Sequence, residues 1–401
     1  MALFKKLSTL LFTVWLSLAV SGFSLGLWVY HRRGSPLEYS LVSFFTLVPS
    51  LLFTPVAGIF TDRWGPQRVL KLSHALALIP LTLLWFLFHF QWPLPLPLLY
   101  GLQGFISGSM AFALSAYSVC STYWVTPQET AKANGLFQMC QNGPAFMAPL
   151  LSGPLYQIFG PGPLLLLAIT TLFLSLIYLQ TLPLHGQKSV PVRTISWREN
   201  ILYGFHYITQ RPHLRALTLF NGGIHFFLGM VGVLAVPYLL AVTTPKVMGL
   251  SLFMSSLGMV VGGPFATSSS SDEILKYTLA MAIILLGAIG QVPASFFTLG
   301  AFGLFFCLAQ IDLRIYSLWQ NLVPLDLQGR VFAYRRVLTL LPTPIAYVVG
   351  GKLAENVFIP WMKGTRQGLS VLFLSAGILL LLSALSFWPT FSRSLHRKSV
   401  P

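Results

Sequence analysis

The sequence predicts an all-α membrane protein, built as two pseudo-symmetric bundles of six transmembrane helices. Three observations predict it. Apolar stretches long enough to cross a bilayer recur along the whole chain, charged residues are scarce, and the two halves echo each other.

Of the 401 residues, 55% are hydrophobic and only 8% are charged. A soluble protein carries about 25% charged residues, so this chain could not cover a globular surface that water accepts. A spanning helix needs about 20 mostly apolar residues. Twelve segments meet that measure: residues 8–30, 37–60, 69–90, 95–122, 134–158, 163–183, 214–242, 247–266, 275–293, 296–322, 331–354 and 368–388. The first is too long for a cleaved signal peptide and no A-x-A site follows it, so it is expected to remain as a span.

Orientation follows from counting Lys and Arg in alternate loops. With the N-terminus in the cytoplasm, eighteen basic residues fall on that side, Lys5, Lys6, Arg335 and Arg336 among them. Six fall outside, and Arg314 lies within a span. Both termini are therefore expected in the cytoplasm, with the chain in the cell membrane. The net charge of +16 is then a topology signal. Nucleic acid is excluded as a partner, because no dense basic block with interleaved aromatics occurs.

The longest polar interruption separates residues 1–183 from 214–401, leaving 184–213 as a cytoplasmic linker. Within it, Ser196 and Glu199 have capping-box spacing. Trp197, Ile201, Phe205 and Ile208 then fall on one face, which predicts an amphipathic helix along the membrane surface. The halves repeat as well. VTPQETAKANG precedes span five and LVPLDLQGRVF precedes span eleven. In each, a proline suited to a first helical turn (Pro127, Pro324) is followed by an acid and then a base. These prolines are 197 residues apart, as are Gly153 and Gly350. Six-plus-six repeats of this size are how secondary transporters are built, with the substrate near the bilayer midplane.

The densest charge lies between spans two and three, in GIFTDRWGPQRVLK. Gly58, Asp62, Arg63, Gly65, Arg68 and Lys71 spell G-x-x-x-D-R-x-G followed by bases. In this position, with twelve spans and a central linker, the chain resembles the major facilitator superfamily. VPLDLQGRVF and GFHYITQRPHLRAL are similar to its branch of bacterial drug and siderophore exporters. Departures occur: Pro66 and Gln67 replace the usual basic residues, the second-half copy GPFATSSSSDEILK lacks the charged pair, and span one carries no charge. The resemblance implies that Asp62 latches onto the start of span eleven, near Arg330, when the cytoplasmic side closes. A carboxylate there gains from the helix dipole and a basic partner. Glycine would permit the tight turn and a close approach of helices.

The substrate path is sought among polar residues inside spans, since an ionisable group at a helix centre costs ~2.5–3.5 kcal/mol and avoids lipid. Asp312 is the one deeply placed acid, a candidate proton carrier. At about 100° per residue, Asp312 and Arg314 point in opposed directions. Gln310, Arg314, Ser317 and Asn321 share a face of span ten. Asn134, Gln138, Gln141 and Asn142 share one of span five, and Asn221 and His225 one of span seven. These stripes either line a cavity or make interhelical hydrogen bonds, with Arg314 snorkelling to the cytoplasmic face. Gly101, Gly104 and Gly108, like Ser251, Ser255, Gly258 and Gly262, read as packing faces, and Pro144, Pro149, Pro154, Pro342 and Pro344 as kinks.

The chain lacks GxxxxGK[ST], HExxH and GxSxG, so it reads as neither a nucleotide-driven pump nor an enzyme, with no cofactor or metal. Cys120, Cys140 and Cys307 have no ligand spacing and read as packing residues. The expected function is a secondary transporter, monomeric, that exports amphipathic small molecules with protons as the coupling ion. The alternatives are an importer of the same fold and, more remotely, a membrane receptor or intramembrane enzyme.

Overall fold

A computed structural model describes residues 2–181, 205–266, 271–287 and 292–396. The described residues are almost entirely helical. They divide into two compact units, Met1–Arg193 with Pro245–Leu250, and Thr194–Thr244 with Ser251–Pro401.

The first unit holds α1 (Ala2–Arg33), α2 (Pro36–Trp64), α3 (Pro66–His89), α4 (Leu96–Trp124), α5 (Thr130–Phe159) and α6 (Pro161–Thr181). Proline opens helix after helix, where its missing N–H breaks no bond and its fixed φ suits the first turn. Pro36 is joined there by Ser35, whose hydroxyl accepts the Glu38 N–H at 3.1 Å. Gly65 ends α2 with φ of +81°, open to glycine at little cost, and Pro66 starts α3 at once. The hinge is therefore a single residue wide.

Helix α2 packs on α4, α1 on α5 and α6, and α3 on α4 and α6. Small residues set the distances. A Cβ on Gly104 would lie 3.3 Å from Pro49, and on Gly108 3.0 Å from Phe53. Gly101 meets nothing within 4 Å, so it is not part of that face as the spacing suggested. Near the α1 start, Tyr117 lies between Phe4 and Phe137, with ring centroids at 5.3 and 5.4 Å. Its hydroxyl meets Ser8 Oγ at 2.6 Å, and Cys140 donates to the Ser8 carbonyl at 3.2 Å. Buried polar groups here are satisfied by one another. All three cysteines are buried.

Pro245–Leu250 belongs with the first unit because it touches the backbone of α5. A Cβ on Gly249 would lie 2.1 Å from the Pro149 carbonyl oxygen, and one on Gly153 2.2 Å from that of Pro245. Only glycine admits such an approach.

The second unit holds α7 (Pro212–Leu240), α8 (Pro245–Gly262, counted from its start), α9 (Ser271–Leu286), α10 (Ala294–Leu322), α11 (Leu325–Leu340), α12 (Pro342–Leu353), α13 (Ile359–Met362) and α14 (Thr365–His396). Helix α7 packs on α11, α12 and α14, and α9 on α10 and α14. Gly258 and Gly262 bring α8 against the backbone of Phe302 and Phe306.

Ten helical segments of the described residues are long and apolar enough to span a membrane. Helix α5 has the length, 30 residues, but its polar stripe lowers its apolarity. Helix α9 shows 16 residues before the undescribed stretch 288–291. It starts at Ser271, four residues before the expected 275, because Asp272 and Glu273 in its first turn suit the helix dipole. Span eleven, expected to end at 354, continues through a π-helical turn, Ala354–Phe358, and past Pro360, whose place in a first helical turn is tolerated, to Met362, and ends at left-handed Lys363. The expected amphipathic helix of the linker lies outside the described residues, apart from its final turn at 205–209.

Candidate functional site

Helix α10 carries Gln310, Asp312 and Arg314 within five residues, and the two sides of the helix use them differently. Gln310 is fully buried and the Arg314 side chain is 2% exposed. Arg314 donates through Nε to Glu273 Oε2 at 2.8 Å and through a second nitrogen to the same oxygen. It also reaches the Gln310 carbonyl at 3.1 Å and the Gln310 side-chain oxygen. Gln310 in turn donates to the Gly262 carbonyl. The Tyr277 ring covers the guanidinium at 4.9 Å. Arg314 therefore meets a carboxylate in the first turn of α9. It is neutralised where it stands, and the network ties α10 to α9 and to the end of α8.

On the opposed side, Asp312 Oδ1 meets His225 Nε2 at 3.3 Å. Both side chains keep some access, 28% for Asp312 and 15% for His225. One turn before His225, Asn221 is buried and its Oδ1 has no partner. Helix α11 completes this side. Arg335 stands about three turns into it, its guanidinium 5.2 Å from the Tyr316 ring centre and 5.6 Å from that of Trp319. Loop counting makes Arg335 one more cytoplasmic charge, and the structure adds that it is half-buried against two aromatic rings. The apolar stretch that continues from this helix begins at Tyr334, one residue before it.

Helix α5 presents Asn134, Gln138 and Asn142 as exposed side chains and Gln141 as a half-buried one. Asn142 donates to Gln138 at 3.1 Å. An exposed row of amides in a spanning helix is unsuited to lipid, which offers no hydrogen bonds, and is suited to a water-lined path.

In the hinge, Asp62, Arg63 and Arg68 are exposed and Lys71 is half-buried. No described residue pairs with Asp62. Gly65 serves the turn, as its φ shows, whereas Gly58 meets nothing within 4 Å, so the expected close approach does not arise there. Arg330 falls in α11, and its side chain lies outside the described residues. No His/Cys/Asp/Glu group fit to hold a metal occurs among the described residues.

Sequence reasoning missed Glu273 and Tyr277, the partners of Arg314. Their i, i+4 spacing at the start of α9 was a signal, but nothing local ties it to α10, 41 residues away.

The model of the Major Facilitator Superfamily matches residues 7–346. The chain belongs to that superfamily. Among relatives, it is 24% identical over 379 residues to the uncharacterized MFS-type transporter YfiS of Bacillus subtilis (strain 168), covering 89% of this chain and 85% of that one. It is 23% identical over 399 residues to the multidrug efflux pump Tap of Mycolicibacterium fortuitum, covering 93% and 92%. Among solved structures, a point mutant of the nucleoside transporter NupG aligns with TM-score 0.77 at 12% identity, over 97% of this chain and 100% of that one. A bacterial homologue of the human lysosomal transporter Spinster, inward-facing and unoccupied, aligns with TM-score 0.72 at 12% identity over 98% of each. The major facilitator fold thus accounts for nearly the whole length, and the chain is a multi-pass membrane transporter.

Proposed function

We propose that this major facilitator protein exports amphipathic small molecules from the cell in exchange for protons. The observation that carries the reading is the Asp312–His225 pair. It joins two titratable side chains at 3.3 Å near the middle of two spanning helices, with partial access from outside the protein. A carboxylate and an imidazole in hydrogen-bond contact can pass a proton between them and hold it away from lipid. Asp312 is read as the proton carrier and His225 as its partner. The α5 amides Gln138, Gln141 and Asn142 in the first unit, and separately Asn221 in the second, are read as substrate-path residues. Gln310 and Arg314 are read as scaffold, because their polar atoms are engaged with protein groups.

Export is favoured by the likeness to the Tap efflux pump over nearly the full length. The Asp62 turn is read as the latch that the family resemblance implies, with both termini in the cytoplasm. The test is loss of a preloaded fluorescent amphipath from cells, with and without a protonophore. Wild type should lose dye and the protonophore should stop it. Asp312→Asn should insert normally and abolish the pH dependence of transport. Proton-coupled transport by Asp312→Asn at the normal rate would refute the assignment, and dye uptake instead of loss would establish an importer.

A further inference from the structure

We infer that Arg335, with Trp319 and Thr339 beside it, forms a binding site for the carboxylate of an amphipathic organic anion within the second unit. The inference rests on the transport reading above and narrows its substrate to molecules with an acidic head and an apolar, preferably aromatic, body.

Three donors carry it. Arg335 is half-buried, and its Nε is shut away from solvent without an acceptor. Its neighbours are the faces of Tyr316 and Trp319, at 5.2 and 5.6 Å. Stacked rings hold a guanidinium in place yet leave its edge, where the N–H groups point, free to donate. Trp319 is fully buried and its indole N–H also lacks an acceptor. Thr339, one turn beyond Arg335, is buried with its hydroxyl unpartnered. A buried donor left without an acceptor is destabilising, so these three favour a ligand that brings acceptors to them.

Asp312 does not fill that role. It is the acid whose charge acts on Arg335, but it is engaged with His225 and makes no ion pair with Arg335 among the described residues. The cation is thus balanced at a distance while its fork stays open. A planar carboxylate matches two parallel N–H donors of such a fork. It would also neutralise a half-buried cation that has no direct ion pair among the described residues. Access comes past Tyr316, which is 42% exposed. That ring and the Trp319 indole supply an aromatic wall for the rest of the molecule.

The experiment compares dansylglycine with dansylglycinamide, the same fluorophore with and without the charge, on the full chain in lipid nanodiscs. Signal from protein-free nanodiscs is subtracted. Wild type should bind the acid roughly tenfold more tightly than the amide, or better, as charge-assisted hydrogen bonds imply. Arg335→Gln should lower acid binding to the amide's level and leave the amide unchanged. Arg335→Lys, which keeps the charge but loses the fork, should fall between. Trp319→Phe removes the N–H together with part of the ring but keeps an aromatic face, and should weaken the acid a few-fold while changing the amide less; it carries the test should Arg335→Gln fail to insert. Equal or absent binding of both probes by wild type would overturn the inference, as would acid preference surviving in Arg335→Gln. If cells still lose a cationic dye in a protonophore-sensitive way under those results, the transport reading stands and the anion site alone falls.

Discussion

Removing the Glu273 carboxylate should destabilise the protein more than removing the Arg314 guanidinium, although both changes delete the same contact. The reason is burial. Arg314 is 2% exposed and Glu273 35% exposed. Glu273→Gln leaves a cation in the interior with no carboxylate among its described partners, which are then neutral amide and carbonyl oxygens and the Tyr277 ring. Breaking a buried pair from one side costs about 3–5 kcal/mol. The acceptors that remain, and the access of water to the Glu273 side, reduce this to roughly 2–3 kcal/mol. Arg314→Gln leaves a carboxylate that water reaches, and about 1 kcal/mol is expected. Replacing both by leucine should recover much of the Glu273→Gln loss, since no charge is then stranded. The assay is thermal unfolding in detergent followed by a thiol-reactive dye, because all three free cysteines are buried and become reactive only on unfolding. Arg314→Gln proving as harmful as Glu273→Gln, or neither shifting the midpoint, would refute the argument.

Two further outcomes follow from the hinge and the topology. Asp62→Asn should insert normally, transport slowly, and raise the labelling of a cysteine placed at Gln138, because a contact of roughly 0.3–2 kcal/mol made in one state shifts populations several-fold or more; unchanged labelling with normal transport would reduce Asp62 to part of a solvated turn. A cysteine at Gly162, which meets no neighbour within 4 Å, should react with an impermeant maleimide from outside, whereas one at Ser189 should not, and labelling at Ser189 would overturn the cytoplasmic placement of the linker.

Much of the fold was legible because bilayer physics acts on single segments. Length and apolarity mark a span wherever it sits, and Pro36, Pro66, Pro161, Pro212 and Pro245 mark where spans begin. The hinge was legible for the same reason, since Gly65 and Pro66 carry their backbone preferences with them. Helix α5 was harder, because the amides that suit it to a water-lined path also weaken its membrane signal. Pairings between helices were not legible. Periodicity put Asp312 and Arg314 on opposite sides of α10, but Glu273 is 41 residues from Arg314 and His225 is 87 from Asp312. Which faces meet depends on packing that no local pattern encodes. Arg335 was read only as a charge near a span end, and its packing against Tyr316 and Trp319 of α10 was hidden for the same reason.

The opposition on α10 also sets its mechanics. Two residues at about 100° each turn the helix by roughly 200°, so one strand of backbone serves two purposes. Its Arg314 side is bonded to Glu273 and Gln310, and Gln310 to Gly262, so α8, α9 and α10 are held as one block. On its Asp312 side, the hydrogen bond that the carboxylate makes among the described residues is the 3.3 Å one to His225 on α7, with partial access beyond it. A carboxylate that gives up and regains a proton must change partners without moving its backbone. The buried network supplies that rigidity, and the bond to His225 supplies the freedom. The two clusters should therefore separate experimentally. Weakening the Glu273–Arg314 pair should act through stability and leave the pH dependence of whatever transport survives unchanged, whereas changing Asp312 or His225 should alter that dependence and leave the unfolding midpoint nearly where it was.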